Sequence, residues 1–480
     1  MKQGIQLITY PDSLGQNLRE LYEALEGPLR GCLSGVHILP FFPSSGDRGF
    51  SPLGYKEVDP AFGCWEDIHR IAKEYDLVVD LMVNHLSRQS AEFQDFVQSG
   101  EESPWADLFL PVNKVKPGGK FTKEELSKIY TRKPRMPWID VTHKDGRIST
   151  LWCTFSEEQI DLDVRSATGR RYILDSLNFL ADQGAVLIRL DAFAYVTKKA
   201  GSSCFFLEPD IWEILGDYRD VLAPRGVELL PEIHEHYSIS RKLSDQGYGV
   251  YDFALPMLLL HSLYSGRADR LGAWLEQCPY HQFTTLDTHD GIGVVDVADL
   301  LTPGEIDETC NALYEKGSNV SRRYSSQEYN NLDIYQINCS YYSALGGDDQ
   351  AYLLARAVQF FAPGIPQVYY VGMLAGLNDI ELVEKTMNGR DINRHSYSLE
   401  EIRREIGRPV VASLLRMMKF RNRHPAFSGD FRLIQSTPDG ELEIIRSHKK
   451  SAVRLLANMK TREFHVYQKD GSHPWSELTF

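Results

Sequence analysis

Short apolar runs alternate with longer helical periodicities along most of this chain, which limits the fold to successive βα units around a parallel sheet. Eight runs read as strands: 5–10, 35–39, 77–83, 185–190, 228–230, 249–253, 283–286 and 366–371. Eight is the number that closes a (β/α)8 barrel. Helical spacing just before the fourth run puts Ile173, Leu174, Leu177, Leu180 and Ala181 on one apolar face. Between the third and fourth runs lie about a hundred residues, more than one crossover helix fills, so an inserted subdomain is expected. A second irregular excursion follows Asp290, and from Ser428 short alternating runs predict a small antiparallel β domain. The expected fold class is therefore α/β. A TIM barrel spans 1–83, 165–290 and 347–427, with an inserted domain over 84–164 after strand 3, a loop subdomain over 291–346 after strand 7 and a C-terminal β domain over 428–480.

Composition narrows the class of partner. With 42% hydrophobic and 25% charged residues the chain is that of a soluble globular protein. A net charge of −14 argues against nucleic acid or an anionic membrane, both of which need a basic surface. The seven cysteines are odd in number and scattered, with no C-x-x-C pair, which favours buried thiols in a reducing compartment over disulfides or a zinc site. No window approaches 18 uninterrupted apolar residues and the N-terminus runs directly into a strand pattern, so the expected location is the cytoplasm.

Three acidic segments, Ile188-Arg189-Leu190-Asp191-Ala192, Leu230-Pro231-Glu232-Ile233-His234 and Leu286-Asp287-Thr288-His289-Asp290, follow or end strand runs. A barrel delivers the ends of its strands to one rim, so these side chains are candidates for a common site. Retaining glycosidic chemistry needs a carboxylate nucleophile and a carboxylic acid about 5 Å apart. Asp191 and Glu232, at the ends of consecutive strands, are placed to supply them. Arg189 lies two residues before Asp191 on the same strand face and would keep Asp191 ionised while binding an adjacent sugar hydroxyl. The alternative is a purely structural Arg189–Asp191 ion pair. His234-x-His236 shares a face but has no third ligand in sequence, so neither metal nor cofactor is expected. Gly118-Gly119-Lys120 lacks the spacing of a phosphate loop.

Several longer motifs resemble one family closely: Asp80-Leu81-Met82-Val83-Asn84-His85, Gln159-Ile160-Asp161-Leu162-Asp163, Arg189-Leu190-Asp191-Ala192, Gly201-Ser202-Ser203-Cys204-Phe205, Leu286-Asp287-Thr288-His289-Asp290-Gly291 and Pro366-Gln367-Val368-Tyr369-Tyr370-Val371-Gly372. They are similar to the α-amylase superfamily, glycoside hydrolase family 13, and within it to the sucrose phosphorylase group, over nearly the whole chain up to about Ser428. The resemblance implies a hexosyltransferase with Asp191 as nucleophile, Glu232 as acid/base and Asp290 holding the glucose 2- and 3-hydroxyls. It implies that His85 and His289 bond the glucosyl ring, that Phe155 and Tyr195 wall it, and that Asp47 and Arg390 close the far side. Phe50, Gln159, Arg189 and His234 complete the expected sugar-binding set. Asn84 matches a residue that helps bind calcium in amylases, a metal the phosphorylase group generally dispenses with.

A phosphorylase differs from a hydrolase in that phosphate attacks the glucosyl-enzyme, which requires positive charge beside the carboxylates. The loop Tyr130-Thr131-Arg132-Lys133-Pro134-Arg135 supplies it. The resemblance makes Lys133 the phosphate ligand, with Tyr130, Arg132, Arg135 and Tyr335 beside it; the plainer reading is a solvated basic turn. Asn331-Leu332-Asp333-Ile334-Tyr335-Gln336 is similar to the loop in which Leu332, Asp333 and Gln336 would contact fructose. The implied substrates are sucrose, or a related α-glucoside, and inorganic phosphate, acted on by a monomer or homodimer. Sucrose 6′-phosphate, glucosylglycerol and glucosylglycerate are the alternative substrates, and a non-catalytic binding protein is a remote one.

Overall fold

The computed structural model describes residues 1–133, 135–318 and 336–480. Its strands are β1 Gln6–Thr9, β2 Gly35–Ile38, β3 Asp76–Met82, β4 His85–Ser87, β5 Trp138–Thr142, β6 Ile148–Trp152 and β7 Gln159–Asp161. They continue as β8 Ala185–Asp191, β9 Glu228–Pro231, β10 Val250–Asp252, β11 Gln282–Thr284, β12 Ile292–Gly293, β13 Gln336–Ile337 and β14 Ile365–Tyr369. The C-terminal strands are β15 Asp430–Ser436, β16 Glu441–His448, β17 Ser451–Asn458, β18 Phe464–Asp470 and β19 Ser476–Leu478. The chain divides into two compact units. The first is Ile38–Ile233, and the second joins Met1–His37 to the described parts of His234–Ser325 and Asp333–Phe480.

In the first unit β3, β8 and β9 run parallel, with Asp80 opposite Arg189 and Arg189 opposite Leu230. The sequence of β3, Asp-Leu-Val-Val-Asp-Leu-Met, is buried at six of its seven positions, as a parallel strand covered on both faces must be. Helix Ala167–Asp182 leads into β8; Ser166 accepts a hydrogen bond from Gly169 N–H at its start, and Ile173, Leu177 and Leu180 are its buried apolar face. The insertion after β3 carries two antiparallel pairs, β4 with β7 and β5 with β6. Leu110, Val112, Ile129, Trp152 and Cys204 form a small core there, flanked by Phe121 and Trp138.

The second unit holds the parallel order β10-β11-β14-β1-β2 and a separate antiparallel sheet, β15 to β19. Five parallel strands here and three in the first unit are the eight of a (β/α)8 barrel, and each lies on one of the eight expected runs. Two runs end two residues earlier than the sequence predicts. The run 283–286 stops as strand at Thr284, whose carbonyl accepts from Gln359 Nε2 at 2.8 Å and whose neighbour in β14 is Pro366, which has no N–H to give. The run 366–371 turns at Tyr370 into the short helix Tyr370–Met373. There Gly372 packs so tightly on the buried Arg356–Asp287 pair that a Cβ would lie 2.1 Å from Arg356 Nη2. In the C-terminal sheet Leu442, Ile444 and Arg446 alternate inward. Arg446 donates to the carbonyls of Ala362 and Phe427, and its burial pulls the guanidinium pKa down to about 10.

Candidate active site

In-register pairing of β8 with β9 sets the first constellation, since Glu232 N–H donates to Leu190 O at 3.0 Å and so levels Glu232 with Asp191. Arg189, 3% exposed, spans both: Nη1 is 3.1 Å from Asp191 Oδ1 and Nη2 is 3.5 Å from Glu232 Oε1. The same Nη1 donates to Asp80 Oδ1 at 2.5 Å, and the guanidinium lies 5.8 Å over the Phe50 ring. A buried cation is tolerable only with such compensation, and here three carboxyls supply it. Ala192 then turns left-handed, φ 52°, a conformation a residue with a Cβ adopts only under constraint. Its N–H thereby donates to Glu232 Oε2 at 3.0 Å, so the residue after one candidate carboxyl holds the other.

Beside these carboxyls the insertion contributes a wall. His85 Nε2 donates to Phe50 O at 2.9 Å, and Gln159 Nε2 donates to the same carbonyl at 3.0 Å. Burial holds the His85 pKa below its ordinary value, and the hydrogen bond to Phe50 O and the charges of Asp161 and Asp47 only partly oppose this. Ring centroids of His85 and Phe155 are 5.5 Å apart, Phe155 and Tyr195 5.2 Å, Tyr195 and Tyr130 6.2 Å, and Tyr130 stacks on Phe205 at 4.7 Å. Behind the wall Lys198 Nζ reaches Asp161 Oδ2 at 2.5 Å and Asn84 Oδ1 at 2.8 Å. Asp161 also accepts from Thr154 N–H at 2.8 Å and Thr154 Oγ1 at 2.5 Å. Asp47 and Arg48 sit in a left-handed turn, whose approach is pinned by Ser45 Oγ on Glu158 Oε1 at 2.5 Å.

The basic loop is spread out. Lys133 Nζ donates to Cys153 Sγ at 3.2 Å, Arg132 is half-buried, and Arg135 is exposed at the surface with Glu157 at 3.1 Å. Pro134, and with it Leu332 and Asp333 of the expected fructose set and Tyr335 of the expected phosphate set, lie outside the described residues.

The second unit carries the other constellation. Asp290 lies past β11, where Arg390 Nη1 is 3.2 Å from its Oδ1 and His289 Nε2 3.2 Å from its Oδ2. Arg394 donates to His289 O at 3.0 Å and lies over the Tyr10 ring, which meets the His289 ring edge-on at 6.1 Å. Beneath, Asp287 and Arg356 are both wholly buried and paired at 2.9 Å, and burial raises the Asp287 pKa despite that partner. His234 stacks on Phe253 at 3.8 Å and meets Gln336 Nε2 at 3.1 Å.

The supporting residues Asp80, Lys198, Arg394, Arg356 and Asp296 were not among the candidates read from sequence. Asp80 had a signal, since it alternates onto the face of β3 that pairs with Arg189; the others are lone polar residues whose partners are distant in the chain.

Known proteins match the sequence and the fold. The α-amylase catalytic domain model matches residues 32–243. A crystal structure of sucrose 6F-phosphate phosphorylase from Thermoanaerobacter thermosaccharolyticum superposes with a TM-score of 0.95 at 42% identity, covering 100% of this chain and 98% of that one. A sucrose phosphorylase of Streptococcus mutans is 52% identical over 97% of each chain, and a glucosylglycerol phosphorylase of Marinobacter adhaerens is 46% identical over 90% of each. The barrel is thus of the α-amylase type. Within that superfamily the chain belongs to the sucrose phosphorylase group of glycoside hydrolase family 13.

Proposed function

We propose that the enzyme cleaves sucrose with inorganic phosphate, giving α-glucose 1-phosphate and fructose with retention. The observation that carries this is Arg189 held between Asp191 and Glu232 on adjacent strands. Asp191 attacks C1 while Glu232 protonates the departing fructosyl oxygen; phosphate then attacks the glucosyl-enzyme and Glu232 takes back its proton. Asp290, with His289 and Arg390, is assigned to the 2- and 3-hydroxyls, and Asp47 with Arg390 to the closed end. Phe50, His85, Phe155, Gln159 and Tyr195 are assigned to the ring. Lys133 carries the phosphate role among the basic residues, because its ammonium reaches inward to buried Cys153 whereas Arg135 pairs with Glu157 at the surface. Arg132, Tyr130 and Tyr335 are assigned beside it. Leu332, Asp333, His234 and Gln336 are assigned to fructose. Seven cysteines with free thiols support a reducing, cytoplasmic setting, for a monomer or homodimer.

A second reading, sucrose 6F-phosphate, is favoured by the basic loop and by the TM-score of 0.95 to an enzyme named for that substrate. Asp333, assigned to the acceptor, opposes it if it points into the pocket, since like charges brought together where water is scarce cost several kcal/mol. Phosphate-dependent release of glucose 1-phosphate from sucrose, sucrose 6F-phosphate, glucosylglycerol and glucosylglycerate decides. The expected kcat/KM is highest for sucrose, with Asp333→Ala narrowing the gap to the phosphorylated sugar. A preference for any of the other three would overturn the assignment.

A further inference from the structure

We propose that Asp296 is a positioning residue for the acceptor half of the reaction: it holds His234 as the neutral Nδ1–H tautomer, so that the ring's Nε2 lone pair orients the amide of Gln336. This rests on the reading of His234 and Gln336 as acceptor-binding residues. Asp296 lies in the single helical turn Val295–Val297 that follows β12, and both it and His234 are about 4–5% exposed. Its Oδ2 is 3.5 Å from His234 Nδ1. At that distance the two make a charge contact and not a closed hydrogen bond, and because a carboxylate can only accept, its charge favours the proton on the nitrogen that faces it. The opposite side of the ring agrees with this. Gln336 Nε2 lies 3.1 Å from His234 Nε2, and with the amide turned this way its nitrogen donates and that ring nitrogen accepts. Stacking on Phe253, with ring planes 15° apart, holds the imidazole plane in the line between Asp296 and Gln336.

Glycine chemistry shows that the arrangement is built into the local backbone. A Cβ on Gly293 would lie 2.1 Å from Asp296 Oδ2 and 3.5 Å from His234 Nδ1, so only glycine leaves room for the carboxylate. Gly293 is also the β12 residue paired with Gln336 in β13. One residue therefore makes space for the orienting carboxylate and sets the register of the side chain that the ring orients. A carboxylate fixing the tautomer of a functional histidine through its far nitrogen is a general device.

Asp296→Asn reverses the donor and acceptor facing Nδ1, because its amide can donate there and push the proton to Nε2, against the Gln336 amide. In synthesis from α-glucose 1-phosphate and fructose, we expect Asp296→Asn to raise the fructose KM roughly tenfold, the loss of one hydrogen bond to a charged group. Arsenolysis of α-glucose 1-phosphate, which needs no fructose, should stay within about twofold, because the glucosyl half is untouched. A purely structural role would depress both. In protein labelled with ¹⁵N-histidine, the wild-type His234 Nδ1 should resonate as a protonated nitrogen and that of Asp296→Asn as an unprotonated one. A protonated Nε2 in the wild type would overturn the proposal even if the variant fails to fold, as would equal losses in synthesis and arsenolysis. His234→Ala separates the two readings. If it leaves the fructose KM unchanged, the acceptor assignment itself falls; if it raises that KM while Asp296→Asn does not, the positioning role falls.

Discussion

The division of labour between two carboxyls on one guanidinium is the residue-scale question. Arg189 is closest to Asp80 and Asp191, and Glu232 is held less tightly, at 3.5 Å, with the Ala192 N–H as its other partner. That asymmetry suits Asp191 to attack as an anion and Glu232 to move a proton. The two roles separate with the leaving group. Glu232→Gln should lose on the order of 10³-fold on sucrose, where the fructosyl oxygen needs protonation, yet still release fluoride from α-glucosyl fluoride in a burst, because fluoride leaves without a proton. Similar losses on both substrates would argue that Glu232 is not the acid.

Elements bring to this site partners that no local pattern announces. The pairing β4 with β7 sets His85 opposite Asp161, and the turn after β8 returns Lys198 to the same point, so one ammonium ties Asn84, Asp161 and, through Thr154, the strand before Phe155. Asp191 and Glu232 were legible in the sequence because each ends an apolar run. Lys198 was not, since it sits in an irregular segment and looks like any solvated lysine until its side chain is seen to be 1% exposed. The basic loop was legible only as charge, and which of its residues reaches inward depends on Cys153 twenty residues away. Removing the ammonium strands a buried carboxylate, so Lys198→Met should cost about 3 kcal/mol of stability. Asp161→Asn in the same chain should recover part of it, and the α-glucose 1-phosphate KM of Lys198→Met should rise as His85 and Phe155 lose their anchor. Urea unfolding of the two single variants and the double checks this; strictly additive losses would show that the pair is not coupled.

At the scale of the whole molecule the barrel was legible because its strands are buried on both faces and so spell continuous apolar runs, whereas their ends depend on side chains such as Gln359 and Arg356 that arrive from elsewhere. Such buried polar groups also give the protein its pH response. Burial lowers the pKa of His85, His261 and His424 below the ordinary 6.5. On acidification the unfolded chain takes up those protons first, so the stability present above pH 6.5 is lost as the pH falls through that region. Asp252 acts with the opposite sign. Its carboxyl accepts from Trp274, Gln282 and Leu255 N–H but is wholly buried beside the charge of Asp296, and its pKa rises from 3.8 to about 6. There the folded state takes up the proton first, so this group's contribution is full below about pH 4 and lost as the pH rises through 6. In the wild type the two effects oppose each other between pH 7.5 and 5.5. Asp252→Asn removes the opposing one, so its unfolding free energy should fall more steeply toward acid than that of the wild type, by about 1 kcal/mol at pH 5.5. Urea unfolding of both proteins at a series of pH values measures the difference in slope. Parallel curves would mean that Asp252 is already ionised in the folded protein, with the three donors around it outweighing its burial.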